Sequence, residues 1–116
     1  MNTIMYGIPN CDTVKKAQKW LNDNNIAFTF HDYRKDGLDE TLLTKFYALT
    51  EWDKLLNKRS TSYRALSEEQ KKILGETTIN PLFIEFPTLI KRPVVIHNDD
   101  IIVGFNIKNY QTFFAV

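Results

Sequence analysis

The stretch Tyr6-Gly7-Ile8-Pro9-Asn10-Cys11-Asp12-Thr13 decides the fold and carries the chain's one cysteine. β-prone residues lead into it and are then interrupted, because glycine tolerates unusual φ and proline lacks an N–H. Asn10 is a favourable N-cap. Apolar residues then recur at helical spacing, at Val14, Ala17 and Leu21. The pattern predicts a strand, a short loop and a helix, with Cys11 at the first helical position.

Cys11 is predicted to be a reactive thiol. The free N–H groups and the dipole at a helix start favour the thiolate, which is the nucleophilic form of cysteine. Lys15 and Lys16 add positive charge one turn later. The alternative is that Cys11 is a small buried apolar residue, as many free cysteines are. The polar residues flanking the sulfur favour the reactive interpretation.

Composition favours a single soluble domain, residues 1–116, and disfavours several classes of function. The net charge of +1 argues against a protein that coats nucleic acid or a membrane surface. No apolar run is long enough to span a membrane and no signal peptide is expected, so a reducing, cytoplasmic setting is predicted. A single cysteine excludes an internal disulfide, and any disulfide chemistry needs an external thiol. His31 and His97 are too isolated for a metal site, so none is expected.

The first half of the sequence predicts a βαβ unit. Residues 27–33 alternate apolar and polar side chains and form the second predicted strand. A strand, a helix and a strand within about thirty residues predict a right-handed crossover and parallel strands. A turn at residues 34–37 follows, and Asp39 can cap the next helix.

The second half predicts broken helices and then a hairpin. Ser67 and Gln70 have capping-box spacing, and Asn80-Pro81 has the composition of an N-cap and a first helical residue. β-branched runs at residues 94–96 and 101–103 flank a polar turn and predict an antiparallel hairpin. Asn106 can cap a last helix. The order βαβ, helices, ββα is that of a small α/β sandwich.

Four segments resemble the ArsC/Spx family, and most closely its small YffB-like branch. They are YGIPNCDTVKKAQKWL, FHDYRKDGL, LLNKRSTSYR and LIKRPVV, in this order. The similarity runs from Ile4 to the C-terminus. The resemblance implies a thioredoxin-like (glutaredoxin-like) α/β fold, in which a four-stranded mixed sheet carries an all-helical insert, roughly residues 38–90, between strands 2 and 3.

The resemblance also implies a site. Glutathione- and glutaredoxin-dependent arsenate reductases of the family use the cysteine that matches Cys11 as a nucleophile, and the proline that follows their second site arginine is typically cis. The expected substrate- or glutathione-binding residues are Asn10, Asp12, Thr13, Arg59, Arg92 and Pro93. Guanidinium groups suit carboxylates and oxyanions and hold a thiolate ionised. The alternative for both arginines is a solvated charge or a weak salt bridge.

Three functional hypotheses follow. In the first, the protein is a thiol-dependent oxidoreductase without a bound cofactor, whose Cys11 attacks an oxidised sulfur. Glutathione is then the cosubstrate or a glutaredoxin the partner, and a protein disulfide is one candidate substrate. In the second, the protein is a Spx-like regulator that binds RNA polymerase. Many Spx proteins carry a Cys-x-x-Cys switch, and Val14 stands in place of its second cysteine. In the third, it binds glutathione without turnover.

Efficient arsenate reduction is not expected. The arsenate reductases of the family carry a third arginine where this chain has Phe105, and a histidine where it has Gly7. Phe105 offers neither charge nor a hydrogen-bond donor to an oxyanion, whose desolvation needs several of both. It would suit the less polar part of a thiol ligand. The alternative is that Phe105 packs into the core and another arginine, such as Arg64, replaces the missing one.

Overall fold

The structure is a computed structural model that describes residues 3–116. These residues form two units, one of residues 3–37 with 92–116 and the other of residues 38–91. The first unit holds the sheet and two helices, and the second is built of helices and turns. No helix in the described part of the chain is long and apolar enough to cross a membrane.

The sheet of the first unit is mixed, in the order β2-β1-β3-β4. β1 pairs in parallel with β2 and antiparallel with β3, and β3 pairs antiparallel with β4. This arrangement confirms the predicted four-stranded mixed sheet, the parallel βαβ unit and the hairpin. The strands are β1 (Thr3–Gly7), β2 (Thr29–Asp32), β3 (Val94–His97) and β4 (Asp100–Val103).

Two helices of the first unit, α1 (Asp12–Asp23) and α7 (Ile107–Phe114), pack with the sheet around one apolar core. The predicted cap of α7 is confirmed, since the Asn106 side chain accepts a hydrogen bond from the backbone N–H of Asn109 at 3.1 Å. The spacing of the apolar residues of α1 brings them to the core face. Fully buried members of this core are Met5, Val14, Ala17, Leu21, Val95 and Tyr110.

The second unit holds five short α-helices and a 3-10 helix. Asp39 caps the first of these helices by accepting the N–H of Leu42 at 2.9 Å, and the capping box of Ser67 and Gln70 is formed. Both caps were predicted. The elements are α2 (Glu40–Tyr47), α3 (Trp52–Leu55), α4 (Thr61–Arg64), α5 (Glu68–Lys72), α6 (Ile79–Glu85) and the 3-10 helix Pro87–Leu89.

Two predicted boundaries are wrong. The second strand spans Thr29–Asp32 rather than residues 27–33, because β1 offers pairing partners only from Ile4 to Gly7. The N-cap of α6 is Thr78 rather than Asn80, so Asn80 lies inside the first turn. The Asn80 side chain instead accepts a hydrogen bond from the Tyr47 hydroxyl at 2.6 Å, a contact across 33 residues.

Candidate functional site

Cys11 is the N-cap of α1 and not its first helical residue. Its backbone is extended, with φ −145° and ψ 125°, and its carbonyl accepts the N–H of Lys15 at 3.0 Å. Asn10, the predicted N-cap, therefore lies one residue before the observed cap. The Cys11 side chain makes no capping hydrogen bond within the described chain. Cys11 thus lies at the start of α1, where the first N–H groups have no partner inside the helix.

The Cys11 thiol is free and half-buried. It packs at the edge of the core of the first unit, while Asn10, Asp12 and Thr13 around it are exposed. Cys11 is therefore not fully buried, and its reactivity stays a prediction. A partly exposed cysteine among polar residues is the setting in which reactive thiols are found.

Gly7 brings two backbone segments close together at the end of β1. A Cβ atom at Gly7 would lie 3.2 Å from Cγ2 of Val14 and 4.0 Å from Cα of Pro93. Positive φ is found instead at Gly37 and Gly104. What glycine accommodates at position 7 is this close approach and not, as the sequence indicated, an unusual φ.

Pro93 lies beside Gly7 and immediately before β3. The Arg92–Pro93 bond is cis, as expected, and Pro93 is buried. The Pro93 carbonyl accepts the N–H of Gly104 at 2.8 Å. Because β1 and β3 are antiparallel, the end of β1 and the start of β3 share one edge of the sheet, and the loop to Cys11 leaves from this edge.

Tyr33 completes this edge and was not identified as a site residue from the sequence. Its N–H donates to the carbonyl of Gly7 at 3.0 Å, and its side chain is only 3% exposed. Burial raises the pKa of the Tyr33 phenol well above its ordinary value, Tyr6 raises it further, and Arg92 lowers it. Arg92, which is half-buried, therefore lies within electrostatic reach of the Tyr33 hydroxyl. We call Gly7, Cys11, Tyr33, Arg92 and Pro93 the cysteine edge.

His31 supports the cysteine edge from β2 through aromatic and turn contacts. Its ring centroid lies 5.0 Å from that of Tyr6 and 6.3 Å from that of Tyr33. Its Nε2–H donates to the carbonyl of Gly37 at 2.7 Å, which ties the turn after β2 to the strand. Among residues 3–116, no group of three or more His, Cys, Asp or Glu side chains could hold a metal ion.

Arg59 belongs to the second unit, where it is exposed. It lies in a turn before α4, and its N–H donates to the side chain of Asn57 at 3.1 Å. Ser60, the next residue, caps α4 by accepting the N–H of Tyr63 at 3.0 Å. The structure thus brings Cys11, Arg92 and Pro93 to one edge of the first unit, and a role for Arg59 stays a prediction.

Phe105 is partly buried and packs on the core of the first unit. Its ring lies 4.9 Å from that of Tyr110 in an edge-to-face arrangement at 85°. The Tyr110 hydroxyl donates to the carbonyl of Gly104 at 2.7 Å, which fixes the loop that carries Phe105. This packing agrees with the alternative in which Phe105 packs into the core.

Comparison with known proteins places the chain in a family. The sequence profile of the ArsC family matches residues 6–113. An uncharacterized protein of Haemophilus influenzae is 52% identical over 96% of this chain and 97% of its own length. The global transcriptional regulator Spx of Streptococcus mutans is 27% identical over 90% of this chain and 77% of its own. The solved structure of the YFFB protein is 38% identical, with a TM-score of 0.88 over 96% of this chain and 97% of that one. The chain therefore belongs to the ArsC family.

Proposed function

We propose that this protein is a thiol-dependent oxidoreductase that uses Cys11 as its nucleophile and glutathione as its cosubstrate. The observation that carries the proposal is a free, half-buried cysteine at the N-cap of α1, on the edge that also holds Arg92 and Pro93. A helix start supplies unpaired N–H groups and a positive dipole end, and both stabilise a thiolate. Lys15 and Lys16 are exposed on the next turn and add to the positive potential.

The proposed reaction is thiol–disulfide exchange in two steps. The Cys11 thiolate attacks the glutathione sulfur of a mixed disulfide, so a Cys11–glutathione disulfide forms and the substrate leaves as a thiolate, which takes up a proton. The thiolate of a second glutathione, or of a glutaredoxin, then attacks that sulfur and releases the Cys11 thiolate. With glutathione, one reduced glutathione is consumed: it leaves as glutathione disulfide together with the glutathione of the substrate, and the substrate is released as a thiol. A protein mixed disulfide is a substrate of this class.

The polar residues around Cys11 are proposed to hold glutathione. Asn10, Asp12 and Thr13 are exposed beside the sulfur and offer hydrogen-bonding groups to a peptide. Arg92 offers a planar fork of donors that matches a carboxylate. Glutathione binds as a cosubstrate and not as a resident cofactor, in a cytoplasmic, reducing setting that keeps Cys11 as a free thiol.

Arsenate is proposed to be a poor substrate. Phe105 is engaged in aromatic packing and brings no charge to the cysteine edge. A larger residue at position 7, such as the histidine that the resemblance associates with arsenate reductases, would meet the side chain of Val14. The site therefore favours a peptide thiol over a multiply charged tetrahedral oxyanion.

A second candidate function is transcriptional regulation through contact with RNA polymerase. It is favoured by the similarity to Spx of Streptococcus mutans over 90% of this chain. It is disfavoured because Val14 is a buried core residue at the position of the second switch cysteine. Binding to an isolated domain of the polymerase α-subunit, in the absence of any thiol chemistry, would support this candidate.

Adduct formation tests the proposed oxidoreductase function directly. The protein is incubated with glutathione disulfide and analysed by mass spectrometry, and reduced glutathione is then added. We expect one glutathione on Cys11 and its release by the second thiol, while Cys11→Ser forms no adduct. A parent protein that forms no adduct, or one that glutathione does not release, would contradict the proposal.

A further inference from the structure

The Tyr33 hydroxyl is buried and has no hydrogen-bond partner in the described part of the chain. The whole side chain is 3% exposed. A buried hydroxyl without a partner destabilises a fold, because its desolvation is not compensated. Phenylalanine would fill nearly the same volume without this penalty. The hydroxyl is therefore not explained by the stability of the fold.

Tyr33 lies at the end of the sheet from which the loop to Cys11 leaves. Its backbone N–H is bonded to Gly7, the last residue of β1, at 3.0 Å. Cys11 follows four residues after Gly7, and Pro93 lies beside Gly7. The hydroxyl is thus carried by the same edge of the sheet as the proposed nucleophile.

Arg92 also lacks a counter-ion at this edge. Among residues 3–116, the ion pairs are Lys19–Asp23 and Lys71–Glu68, and neither involves Arg92. The carboxylates of β2 and its turn accept hydrogen bonds from the backbone. Asp32 accepts the N–H of Arg34 at 2.9 Å, and Asp36 accepts the N–H of Asp32 at 2.9 Å. A half-buried cation without a carboxylate and a buried donor without an acceptor therefore share one edge.

The chemistry of Tyr33 and Arg92 indicates which kind of ligand they would bind. The phenol is a hydrogen-bond donor over the whole physiological range, because burial raises its pKa. A guanidinium offers further donors and a positive charge. A carboxylate matches both, since it accepts several hydrogen bonds and carries the opposite charge.

We propose that Tyr33 and Arg92 form a carboxylate subsite beside Cys11, in which the Tyr33 hydroxyl donates a hydrogen bond to a carboxylate of the bound thiol ligand. The identity of that ligand as glutathione rests on the proposed function above. The subsite assigns Tyr33 a binding role and explains why a polar group is kept where an apolar one would be more stable.

The test measures the binding of S-methylglutathione, which has no free thiol and so binds without any chemistry at Cys11. Its dissociation constant is measured by NMR titration for the parent, for Tyr33→Phe and for Tyr47→Phe, and each titration is repeated with the dimethyl ester. Tyr47→Phe is a matched control, because it removes a hydroxyl that donates to Asn80 in the second unit. The stability of each variant is measured by urea unfolding.

We expect Tyr33→Phe to weaken S-methylglutathione binding by at least about 10-fold, which is the size of one hydrogen bond to a charged group. We expect the same variant to leave binding of the diester unchanged and to be as stable as the parent or more stable. Tyr47→Phe is expected to lose stability and keep its affinity.

The subsite is overturned if Tyr33→Phe binds S-methylglutathione like the parent, if it weakens the diester equally, or if the parent does not bind this ligand. Failure of the proposed function is a separate result. If the parent does not exchange glutathione at Cys11 but its binding of S-methylglutathione depends on Tyr33, the subsite is supported and the oxidoreductase function is contradicted. If the parent exchanges glutathione at Cys11 but its binding of S-methylglutathione does not depend on Tyr33, the oxidoreductase function is supported and the subsite is contradicted.

Discussion

The two edges of the sheet differ in how their polar groups are satisfied. At the edge formed by Thr3, His97, Asn98 and Asp99, which we call the turn edge, Thr3 Oγ1 and His97 Nδ1 form a hydrogen bond of 2.6 Å. Asn98 and Asp99 adopt the left-handed conformation that a tight hairpin turn requires. At the cysteine edge, the hydroxyl of Tyr33 has no partner in the described chain. The turn edge satisfies its polar groups within the chain, whereas we propose that the cysteine edge does so with another molecule.

Among changes that leave Cys11 in place, the largest effect is expected from removing the cation of the cysteine edge. Arg92→Ala should weaken formation of the Cys11–glutathione adduct by about 10- to 100-fold, because a charge-assisted hydrogen bond is lost, and should leave the fold intact. Arg92→Lys should recover only part of the loss, since lysine lacks the planar fork. Adduct equilibria measured by mass spectrometry check this. An Arg92→Ala variant that reacts like the parent would make Arg92 a plain surface charge.

The next effect concerns the close approach at Gly7. Gly7→Ala should destabilise the protein by about 1–3 kcal/mol, because its Cβ would press on Val14 at the end of β1. The double variant Gly7→Ala/Val14→Ala should be more stable than the sum of the two single changes predicts, since the truncated Val14 makes room. Urea unfolding of the three variants measures the coupling. If the changes in the free energy of unfolding are strictly additive, the contact with Val14 is not the reason for glycine at position 7.

The smallest effect is expected at the turn edge. Thr3→Val removes the hydroxyl that bonds to His97 and should lower the free energy of unfolding by about 1 kcal/mol. Thr29→Val, at an exposed position of β2, serves as the control and should change stability less. Neither change should alter adduct formation at Cys11. A loss of adduct formation in Thr3→Val would remove the functional distinction between the two edges.

Much of the fold follows from local patterns in the sequence. The βαβ unit and the hairpin rest on alternation and β-branched runs, and both are found. The caps at Asp39 and Asn106 were predicted for the same reason, because a side-chain oxygen three residues before a backbone N–H satisfies it locally. Such features depend only on neighbours in the chain.

The features that the sequence did not reveal depend on distant contacts. Asn80 resembled an N-cap, but Tyr47 engages its side chain from another helix. Asn10 and Cys11 are both compatible with the extended backbone of a cap, and the sequence favoured the wrong one of the two. Tyr33 lies in the quoted segment FHDYRKDGL, but its burial without a partner emerges only when the sheet and the residues around Arg92 are assembled.

The central claim is that Cys11 performs thiol–disulfide exchange. The measurement that tests it most directly is the rate of reduction of a glutathione mixed disulfide by reduced glutathione, followed for the parent and for Cys11→Ser, beside an identical assay with arsenate and a glutaredoxin. We predict turnover of the disulfide that falls at least about 1,000-fold in Cys11→Ser, as loss of a nucleophile does, and little turnover of arsenate. Disulfide turnover that persists in Cys11→Ser, or efficient arsenate reduction by the parent, would contradict the account.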